Sequence, residues 1–327
     1  MLEEETVRSL TVLLLAALVD YIVGDPWHWL HPVQVMGWAI AAYTRLALRI
    51  KTAWIQRLLG VGLTVLLVGG SGAIAAGLVW LGDRLHSIVG LVIAIILLAS
   101  CFAGRSLRAA AEDVLEPLQQ DNSIEARSRL SQYVGRDTDN LSESEILRAV
   151  LETVTENAVD AVTSPLFYAI VGALIHPAIA VALPMGYKAA STLDSMVGYR
   201  TEPYTHLGWC SARFEDVLTW LPCRLTVLTL ALRSGRPLEV LTICRRDAIA
   251  DPSPNSGWSE CIYAAVLGVQ VGGENIYRGV VKYKPLLGNP TRPITPQVIQ
   301  EAIALTRFCV VLWGAIGAVL LIFAKVG

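Results

Sequence analysis

The sequence predicts an all-α, polytopic integral membrane protein with about four to six transmembrane helices. Three observations lead to this class: 54% of the 327 residues are apolar and only 17% are charged, the mean hydropathy is +0.52, and several long stretches lack charge. Soluble domains average roughly 25% charged residues, so an ordinary soluble protein is not expected. The net charge of -2 also argues against a nucleic-acid protein, which needs surplus Lys and Arg.

Three stretches are long enough to cross a bilayer as helices. Residues 58–82, 85–104 and 308–324 contain no charged side chain, and a span needs roughly 20 apolar residues. The last stretch is flanked by Arg307 and Lys325, cations that suit the two membrane surfaces. These three stretches are therefore the expected spans.

The N-terminal apolar stretch, residues 10–24, is a weaker candidate because it contains Asp20 and follows three glutamates. A secretory signal has a positively charged start and a cleavage site after small residues. Neither is present, so we expect this stretch to remain as a membrane helix.

Two further apolar stretches, residues 161–187 and 217–232, are predicted to be broken or re-entrant. The interrupting residues are His176, Pro177 and Pro184 in the first stretch and Pro222 and Arg224 in the second. Broken helices persist at membrane depth where freed backbone groups face protein or a water-filled cavity, and such breaks often mark sites. Simple kinked packing helices are the alternative.

The distribution of positive charge predicts that the long connections, residues 105–160 and 233–306, lie in the cytoplasm. The first reads as helical on either side of a polar, turn-like stretch at 121–141, and the second as mostly loop and short helix. With six simple crossings, residues 187–213 fall outside, whereas two re-entrant segments return them to the cytoplasm; we favour the latter. Residues 1–327 are expected to form one membrane domain in the cell membrane, with any functional site on these connections facing the cytoplasm.

Standard metal and nucleotide motifs do not occur in the sequence. The six cysteines contain no C-x-x-C pair, so they are interpreted as reduced, apolar thiols rather than zinc ligands. No G-x-x-x-x-G-K-[ST] motif occurs, and no strand is followed by G-x-G-x-x-G. A nucleotide site, if present, is therefore non-standard.

The first cluster that could carry chemistry is acidic. Glu152, Glu156 and Asp160 are spaced to share one helix face, where like charges repel unless a cation lies among them. Magnesium is commonly held by one or two carboxylates plus phosphate oxygens. The pattern indicates either a cation site or a solvated acidic face.

The second cluster follows the first broken stretch. Lys188, Thr192, Asp194 and Arg200 lie within YKAASTLDSMVGYR, and polar groups beside a membrane segment are costly to bury unless they are paired or hydrated. Lys and Arg suit phosphate or carboxylate ligands. Interfacial anchoring is the alternative.

Three further groups of polar residues are candidates for the functional site. Structural ion pairs or an interfacial turn would explain them without a function. The groups are Arg213, Glu215, Asp216 and Arg224 around the second broken stretch, the ordered loop at 245–258, and Asp25 with His28 and His31 after the first helix.

Motifs in this order resemble those of the CobD/CbiB family, adenosylcobinamide-phosphate synthase. They are GDP at 24–26, HPVQVMG from His31, ENAVD from Glu156, YKAASTLDSMVGYR from Tyr187, GWCSAR from Gly208, PCRLT from Pro222, RRDA with SPNSGW within 245–258, and GVQVGG from Gly268. The resemblance runs nearly end to end. Glu215-Asp216 replaces the family's usual Asp-Asp pair, and Thr219 its usual Asn.

The resemblance implies cobalamin biosynthesis: ATP-dependent amide formation between a propionate carboxyl of adenosylcobyric acid and (R)-1-aminopropan-2-ol or its O-phosphate. We expect an acyl phosphate, with Mg²⁺ held by Glu156 and Asp160, phosphoryl charge stabilised by Lys188 and Arg200, and the amine proton accepted by Asp194. The expected substrate contacts are Asp25, His31, Asn157, Thr192, Arg200, Arg213, Asp216, Arg224, Arg246, Asp247, Asn255 and Trp258.

Expected partners are the corrinoid and aminoalcohol substrates, the lipid bilayer and other membrane enzymes of late cobalamin assembly, with no nucleic acid. Two alternative functions remain open from the sequence. One is an AmpE-like membrane signalling protein, and the other is a corrinoid transporter.

Overall fold

The structure, a computed structural model, describes residues 2–24 and 30–324, with side chains from residue 4 onward. Most of this part of the chain is helical. The helices are α1 (Leu2–Ile22), α2 (Pro32–Ala47), α3 (Ala53–Leu85), α4 (Ser87–Ala99), α5 (Gly104–Leu118), α6 (Ser123–Leu130), α7 (Glu143–Ala158), α8 (Ser164–Ile175), α9 (Ile179–Val197), α10 (Trp209–Arg233), α11 (Pro237–Asp247), α12 (Ser256–Leu267) and α13 (Pro296–Phe323), and the strands are β1 (Val271–Tyr277) and β2 (Val280–Leu287).

The chain forms two compact units. The first consists of residues 1–105, 164–219 and 311–327, and the second of residues 106–163 and 220–310. The single domain expected for residues 1–327 stays a prediction.

Three stretches are long and apolar enough to cross a membrane. They are Ala53–Leu85, Glu143–Ile175 and Pro296–Phe323, and a fourth arises if Ser87–Ala99 and Gly104–Leu118, bent by 40°, are one broken span. The structure thus supports a multi-pass protein with three or four candidate spans among the described residues. The predicted upper limit of six and the re-entrant geometry stay predictions.

In the first unit, α3 packs against α4 and α9, and α8 packs against α9. A small core of Ile40, Leu63, Leu193 and Val197 is buried here. Elsewhere the surface is strongly apolar: Val65, Leu66 and Ile74 of α3 expose 65%, 69% and 65% of their surface. Contiguous exposed apolar surface is typical of a face that contacts other apolar matter, which fits a helix in lipid.

The first broken stretch separates into α8 and α9, with the interruption at residues 176–178. His176 accepts a hydrogen bond from the backbone N–H of Ala178 at 3.1 Å, within the turn that precedes α9. Gly172 permits the tight return, because a Cβ there would collide with the carbonyl oxygen of Ile179. Pro184, by contrast, lies inside a continuous α9, so the interruption predicted at that residue is wrong.

The second stretch predicted to be broken, residues 217–232, is a continuous part of α10, so that prediction is wrong. Pro222 cannot donate a hydrogen bond to the carbonyl of Leu218. The hydroxyl of Tyr168 donates to that carbonyl instead, at 2.9 Å. The freed backbone group is therefore satisfied by a neighbouring helix, and the α-helix continues.

The second unit has a larger core, to which α5, α7, α11, α12 and the two strands all contribute. Helix α7 begins at a capping box, in which Ser142 caps the N–H of Glu145 and the Glu145 carboxylate accepts from Ser142 N. The helical parts expected in residues 105–160 are present, and α6 adds helix within the stretch expected to be a turn.

A π-helical turn, Val159–Thr163, follows α7 directly. Pro165 explains it, because proline has no N–H for the carbonyl four residues earlier and its ring crowds that carbonyl. Single π-turns inside helices occur frequently at functional sites.

The antiparallel hairpin β1–β2 departs from the all-α prediction. The short helices expected within residues 233–306 are present as α11 and α12, and the hairpin is the part of this connection that was not predicted. Its two-residue turn is Arg278-Gly279, and both residues have positive φ, 51° and 76°, as a type I′ turn requires. The Asp137 carboxylate accepts both turn N–H groups at 2.9 and 2.8 Å. The sequence did not predict this hairpin for two reasons. The glycines at 272 and 273 interrupt the alternation of apolar and polar side chains that is typical of a strand, and Arg-Gly is not among the usual turn pairs.

Candidate functional site

The first unit contains a group of three carboxylates, which we call the Asp194 cluster. Asp194 lies near the end of α9, and Glu215 and Asp216 lie near the start of α10. The three side chains influence one another electrostatically. Glu215 is 8% exposed and accepts a hydrogen bond from Thr219, whose hydroxyl is 2.8 Å from that of Tyr187.

Burial changes the acidity of this cluster. It raises the pKa of Asp194 to about 6, with a further contribution from the charge of Asp216. Burial is also the largest effect on Glu215 and raises its pKa to about 7. The pKa of Asp216 is raised by burial and held back by Arg213 and Arg200. Carboxyl groups with pKa values near neutral are suited to proton transfer.

Part of the site predicted from the sequence comes together at this cluster. Arg200 and Arg213 act on Asp216 by their charge, and Asp216 acts in the same way on Asp194. With Glu215, five residues from two separate predicted groups therefore belong to one electrostatic cluster.

Lys188 and Thr192 lie on the same helix as Asp194 but have other neighbours. Lys188 precedes Asp194 by six residues, which places the two side chains about 120° apart around the helix. Lys188 acts electrostatically on Cys101 instead. Thr192 donates its hydroxyl to the Lys188 carbonyl at 2.7 Å, within its own helix.

In the second unit, Glu152 is fully buried in a network of arginines. It is 1% exposed, and its carboxylate is 2.5 Å from Arg136 and 3.7 Å from Arg148. It also accepts the backbone N–H of Gly272 at 2.8 Å, and Asn275 accepts from Arg136 at 2.7 Å. Glu152 therefore joins α7 to the hairpin and is not part of a solvated acidic face.

A second group, which we call the Glu260 cluster, consists of Glu156, Glu260 and Lys284. Glu260 of α12 is 1% exposed, and one of its carboxylate oxygens lies 3.1 Å from the Lys284 ammonium of β2. Its other oxygen is buried without a hydrogen-bond partner among the described residues. The charge of Glu156 acts on both other members.

In the Glu260 cluster, the single ammonium group of Lys284 interacts with several carboxylates. Burial raises the pKa of Glu260 to about 8, although Lys284 lowers it. Burial lowers the pKa of Lys284, but the carboxylates of Glu260 and Glu156 outweigh this effect and raise it. Lys284 therefore stays charged, while burial and the charge of Glu156 favour the neutral acid at Glu260.

Glu260 and Lys284 are residues that the sequence analysis missed. Glu260 lies in an apolar run, SECIYAAVL, where a lone carboxylate was the available signal. Lys284 lies on a strand that was not predicted.

The residues expected to hold Mg²⁺ lie at the π-turn. Asp160 is the second residue of that turn and is half-buried, as is Glu156. Asn157 donates its amide to the Thr153 carbonyl at 2.9 Å. Within the described ranges, no group of three or more His, Cys, Asp or Glu side chains is arranged to hold a metal ion. A site of two carboxylates completed by phosphate oxygens is a different arrangement, so this ligand pair stays a prediction.

The structure brings together Arg224, Asn255 and Trp258 of the second unit. The Arg224 guanidinium lies 4.4 Å from the ring centroid of Trp258 and 5.5 Å from that of Trp220. It donates to the carbonyl of Pro254 at 2.8 Å, and Asn255 is 5% exposed. Cation–π contacts with two indoles therefore help to hold this guanidinium in place.

The loop before α12 is ordered, as expected. The Asp251 carboxylate accepts from the N–H of Ser253 at 2.8 Å and from the hydroxyl of Ser256 at 3.2 Å. Ser253 in turn caps the N–H groups of Asn255 and Ser256, both at 3.2 Å. Short side-chain bonds of this kind hold a turn without regular structure.

Other predicted contacts have structural roles or lie outside the described residues. Arg246 forms two hydrogen bonds to Asp247, at 2.5 and 2.7 Å, and Asp247 accepts from Gly288 N at 3.0 Å. The bond from Arg246 lowers the pKa of Asp247. His31 caps α2 by accepting from Val33 N at 3.2 Å. The positions 25 and 28, occupied by Asp25 and His28, lie outside the described residues.

Comparisons with known proteins agree with the motif resemblance. A family model described as CobD/Cbib protein matches residues 13–306. The cobalamin biosynthesis protein CobD of a Synechocystis species is 52% identical over 299 residues, covering 91% of this chain and 87% of that protein. CobD of Halalkalibacterium halodurans is 43% identical over 298 residues, or 89% of each chain.

The cobalamin biosynthesis protein CbiB of Salmonella arizonae is 38% identical over 314 residues, covering 94% of each chain. No solved structure matches the chain. The family match spans nearly the whole sequence and confirms the resemblance expected from the motifs: this chain belongs to the CobD/CbiB family.

Proposed function

We propose that this protein acts in cobalamin biosynthesis, as an enzyme of the cell membrane that joins a propionate carboxyl of adenosylcobyric acid to (R)-1-aminopropan-2-ol or its O-phosphate. The reaction forms an amide and consumes ATP. The family membership and the names of the relatives support the pathway. The charged groups of the two units support the chemistry.

The observation that carries this proposal is the Asp194 cluster. An amine attacks a carboxyl carbon only as the free base, so its ammonium must lose a proton. Asp194, with a pKa of about 6, is mostly ionised at neutral pH and accepts a proton more readily than an ordinary aspartate. Its burial and the charge of Asp216 produce this raised proton affinity.

Arg200 and Arg213 supply positive charge to the same cluster. A guanidinium binds phosphate or carboxylate through two parallel hydrogen bonds, so these residues would orient an anionic group near Asp194. In this proposal, Arg200 offsets phosphoryl charge and Arg213 contacts the aminoalcohol phosphate. Lys188 and Thr192, which have other neighbours on α9, would bind phosphoryl oxygens away from Asp194. An ammonium held beside Asp194 would lose a proton to Oδ1 or Oδ2, and the free amine would then form the C–N bond while the C–O bond of the activated carboxyl breaks and its phosphate leaves.

The second unit has groups whose chemistry suits a corrinoid. Arg224, in cation–π contact with Trp220 and Trp258, places a positive charge beside an aromatic surface. The buried amide of Asn255 belongs to the same loop as the carbonyl that Arg224 contacts. A large ring system that carries amide and carboxylate groups can use all three kinds of group, so we assign Arg224, Asn255 and Trp258 to the corrinoid.

The residues present also fit a magnesium nucleotide by their chemistry. Glu156 and Asp160 offer hard oxygen ligands at the π-turn, and magnesium is usually bound by one or two carboxylates plus phosphate oxygens. Mg-ATP, when bound, would supply the phosphoryl group that activates the carboxyl for amide formation. We propose that Glu156 and Asp160 hold the metal and that the active site faces the cytoplasm.

The test uses the full chain purified in detergent with adenosylcobyric acid, Mg-ATP and aminopropanol O-phosphate. Mass spectrometry should detect a new corrinoid amide, and omission of any one component should abolish it. Replacing the phosphate ester by free aminopropanol shows which aminoalcohol is used. Corrinoid binding without an amide product under all these conditions would refute the synthase proposal and favour transport.

The assigned role of Asp194 is tested with Asp194→Asn, which keeps the size of the side chain and removes the base. Product formation should fall by about 10²–10⁴-fold, while corrinoid binding is retained. Glu112→Gln, at an exposed carboxylate, is the matched control and should leave the rate unchanged. Full turnover by Asp194→Asn would overturn the role while leaving the overall reaction intact.

A further inference from the structure

A groove in the first unit lies outside the Asp194 cluster. It has a volume of about 270 Å³ and lies between the C-terminal half of α2 and the end of α9. Its apolar wall is formed by Ile40, Leu48, Met196, Val197 and Tyr204. Pockets that enclose a drug-sized ligand typically measure roughly 300–1,000 Å³, so this groove suits a stretch of acyl chain better than a whole corrinoid.

The groove contains one buried polar group without a partner. Thr44 lines it and is 6% exposed, and its hydroxyl makes no hydrogen bond to any described residue. A helical threonine commonly bonds the carbonyl four residues earlier, and other threonines of this chain do so. Leaving such a hydroxyl unpaired costs free energy, so a ligand atom beside it would be stabilising.

Arg45 adds a cation to the same groove. It lines the groove and is exposed, and the hydrogen bonds and ion pairs of the described residues include none to its guanidinium. The adjacent turn carries Arg49 and Lys51, and residues 32–82 contain no acidic side chain. The loop opposite carries Glu202 together with Arg200, which leaves the balance of charge positive.

Exposed tryptophans lie on the two helices joined by the basic turn. Trp38 of α2 and Trp54 of α3 are each 63% exposed, and Arg57 lies 5.8 Å from the ring centroid of Trp209. Tryptophan and arginine concentrate where a protein crosses from hydrocarbon to water. Helix α3, a candidate span, begins at Ala53 directly after the basic turn, an arrangement that suits the headgroup region of a bilayer.

We propose that this groove binds one phospholipid with an anionic headgroup, its phosphate on Arg45 and the Thr44 hydroxyl and part of one acyl chain along the apolar wall. Charge complementarity selects the headgroup, because basic residues at the membrane surface attract anionic lipids. A free phosphate compound would satisfy Arg45 and Thr44 but would leave the apolar wall without an occupant. The proposal does not depend on the reaction proposed above.

The test measures lipid binding to the full chain, delipidated in a non-ionic detergent, by native mass spectrometry. The probes are phosphatidylglycerol, phosphatidylcholine with the same acyl chains, and glycerol 3-phosphate. We expect phosphatidylglycerol to bind more tightly than phosphatidylcholine and glycerol phosphate not to bind detectably. Equal binding of the two lipids would overturn the headgroup assignment, and binding of glycerol phosphate as tight as that of phosphatidylglycerol would refute the lipid and indicate a soluble anion site instead.

Two variants separate a specific site from general attraction to basic charge. Arg45→Gln should weaken phosphatidylglycerol binding about fivefold, from the typical effect of one basic residue near the surface. Arg49→Gln, an exposed neighbour that does not line the groove, is the matched control and should have a smaller effect. Equal loss in both variants would refute a defined site.

A third variant tests the acyl-chain part of the proposal. Ala41 lies in the groove wall and is exposed, so Ala41→Trp should fill the groove and abolish retention of both lipids without disturbing the helix core. Retained binding would refute the placement of the chain. If this variant does not fold, Thr44→Val serves instead and should weaken binding of phosphatidylglycerol, whereas unchanged binding would refute the contact to the hydroxyl.

Discussion

The buried network around Glu152 allows a sharp test of what holds the second unit together. The perturbation is Glu152→Ala. It removes a carboxylate that accepts from Arg136 and from Gly272 N, and it leaves Arg136 with the amide oxygen of Asn275 as an acceptor at 2.7 Å. Since Arg136 is 9% exposed, its charge would remain buried with little compensation.

The expected cost follows from this geometry. Breaking a buried ion pair by removing one partner destabilises a protein by about 3–5 kcal/mol, and an orphaned buried N–H adds to this within the same range. The loss is a large part of the roughly 5–15 kcal/mol that separates folded from unfolded domains. Replacing Arg136→Met and Glu152→Leu together should recover much of it, because the pair also carries a desolvation cost.

The assay is urea unfolding of the full chain in detergent, followed by tryptophan fluorescence. Glu143→Ala, at an exposed acid in the first turn of the same helix, is the control and should cost about 1 kcal/mol or less. A loss for Glu152→Ala of the same size as that control would refute the reasoning. So would a double variant that is no more stable than the single one.

Three other residues of the structure give further tests. Because burial raises the pKa of Asp194 to about 6, the rate of product formation should fall about tenfold per pH unit below that value, and Asp194→Asn should remove this limb of the pH profile. The folded protein binds this proton more tightly than the unfolded chain does, so the same variant should be more stable than the parent at pH 8 in thermal unfolding. Tyr168→Phe, which leaves the Leu218 carbonyl without its donor, should lower the free energy of unfolding by about 1–3 kcal/mol, measured by urea titration. Lys284→Met should destabilise the protein by leaving Glu260 unpaired, and adding Glu260→Leu should restore stability, whereas no recovery would contradict the pairing.

The sequence was informative where a physical rule acts on neighbouring residues. The charge-free runs at 58–82 and 308–324 predicted helices long enough to cross a membrane, because hydrocarbon excludes charge regardless of tertiary contacts. The run at 85–104 instead forms the 13-residue α4 and is a candidate span only together with α5. The short bonds from Asp251 and Ser253 likewise arise within one loop, and the order of that loop was predicted. The motifs identified the family for the same reason: they are strings of adjacent residues.

The errors have a different origin. The continuation of α10 through Pro222 depends on Tyr168, which is distant in the sequence and donates to the freed carbonyl. The role of Glu152 depends on Arg136 and on a glycine of the hairpin. None of these three donors can be identified from the residues next to the site. Pro222 was therefore interpreted as a helix break, and Glu152 was grouped with an acidic helix face instead of with its arginine partners.

Glu260 shows that residues able to carry chemistry can also be missed when their partners are distant in the sequence. Its burial comes from the core of the second unit, and its partner Lys284 comes from a strand that the glycines conceal. A carboxylate of this kind has no spacing rule, since its function depends on which element packs against α12. Asp194 could be selected from the sequence because it lies in a polar run, but its pKa could not, because that value is set by burial and by Asp216 on another helix. Side-chain identity therefore indicates which groups are available for catalysis, and tertiary packing determines which of them has a proton affinity suited to it.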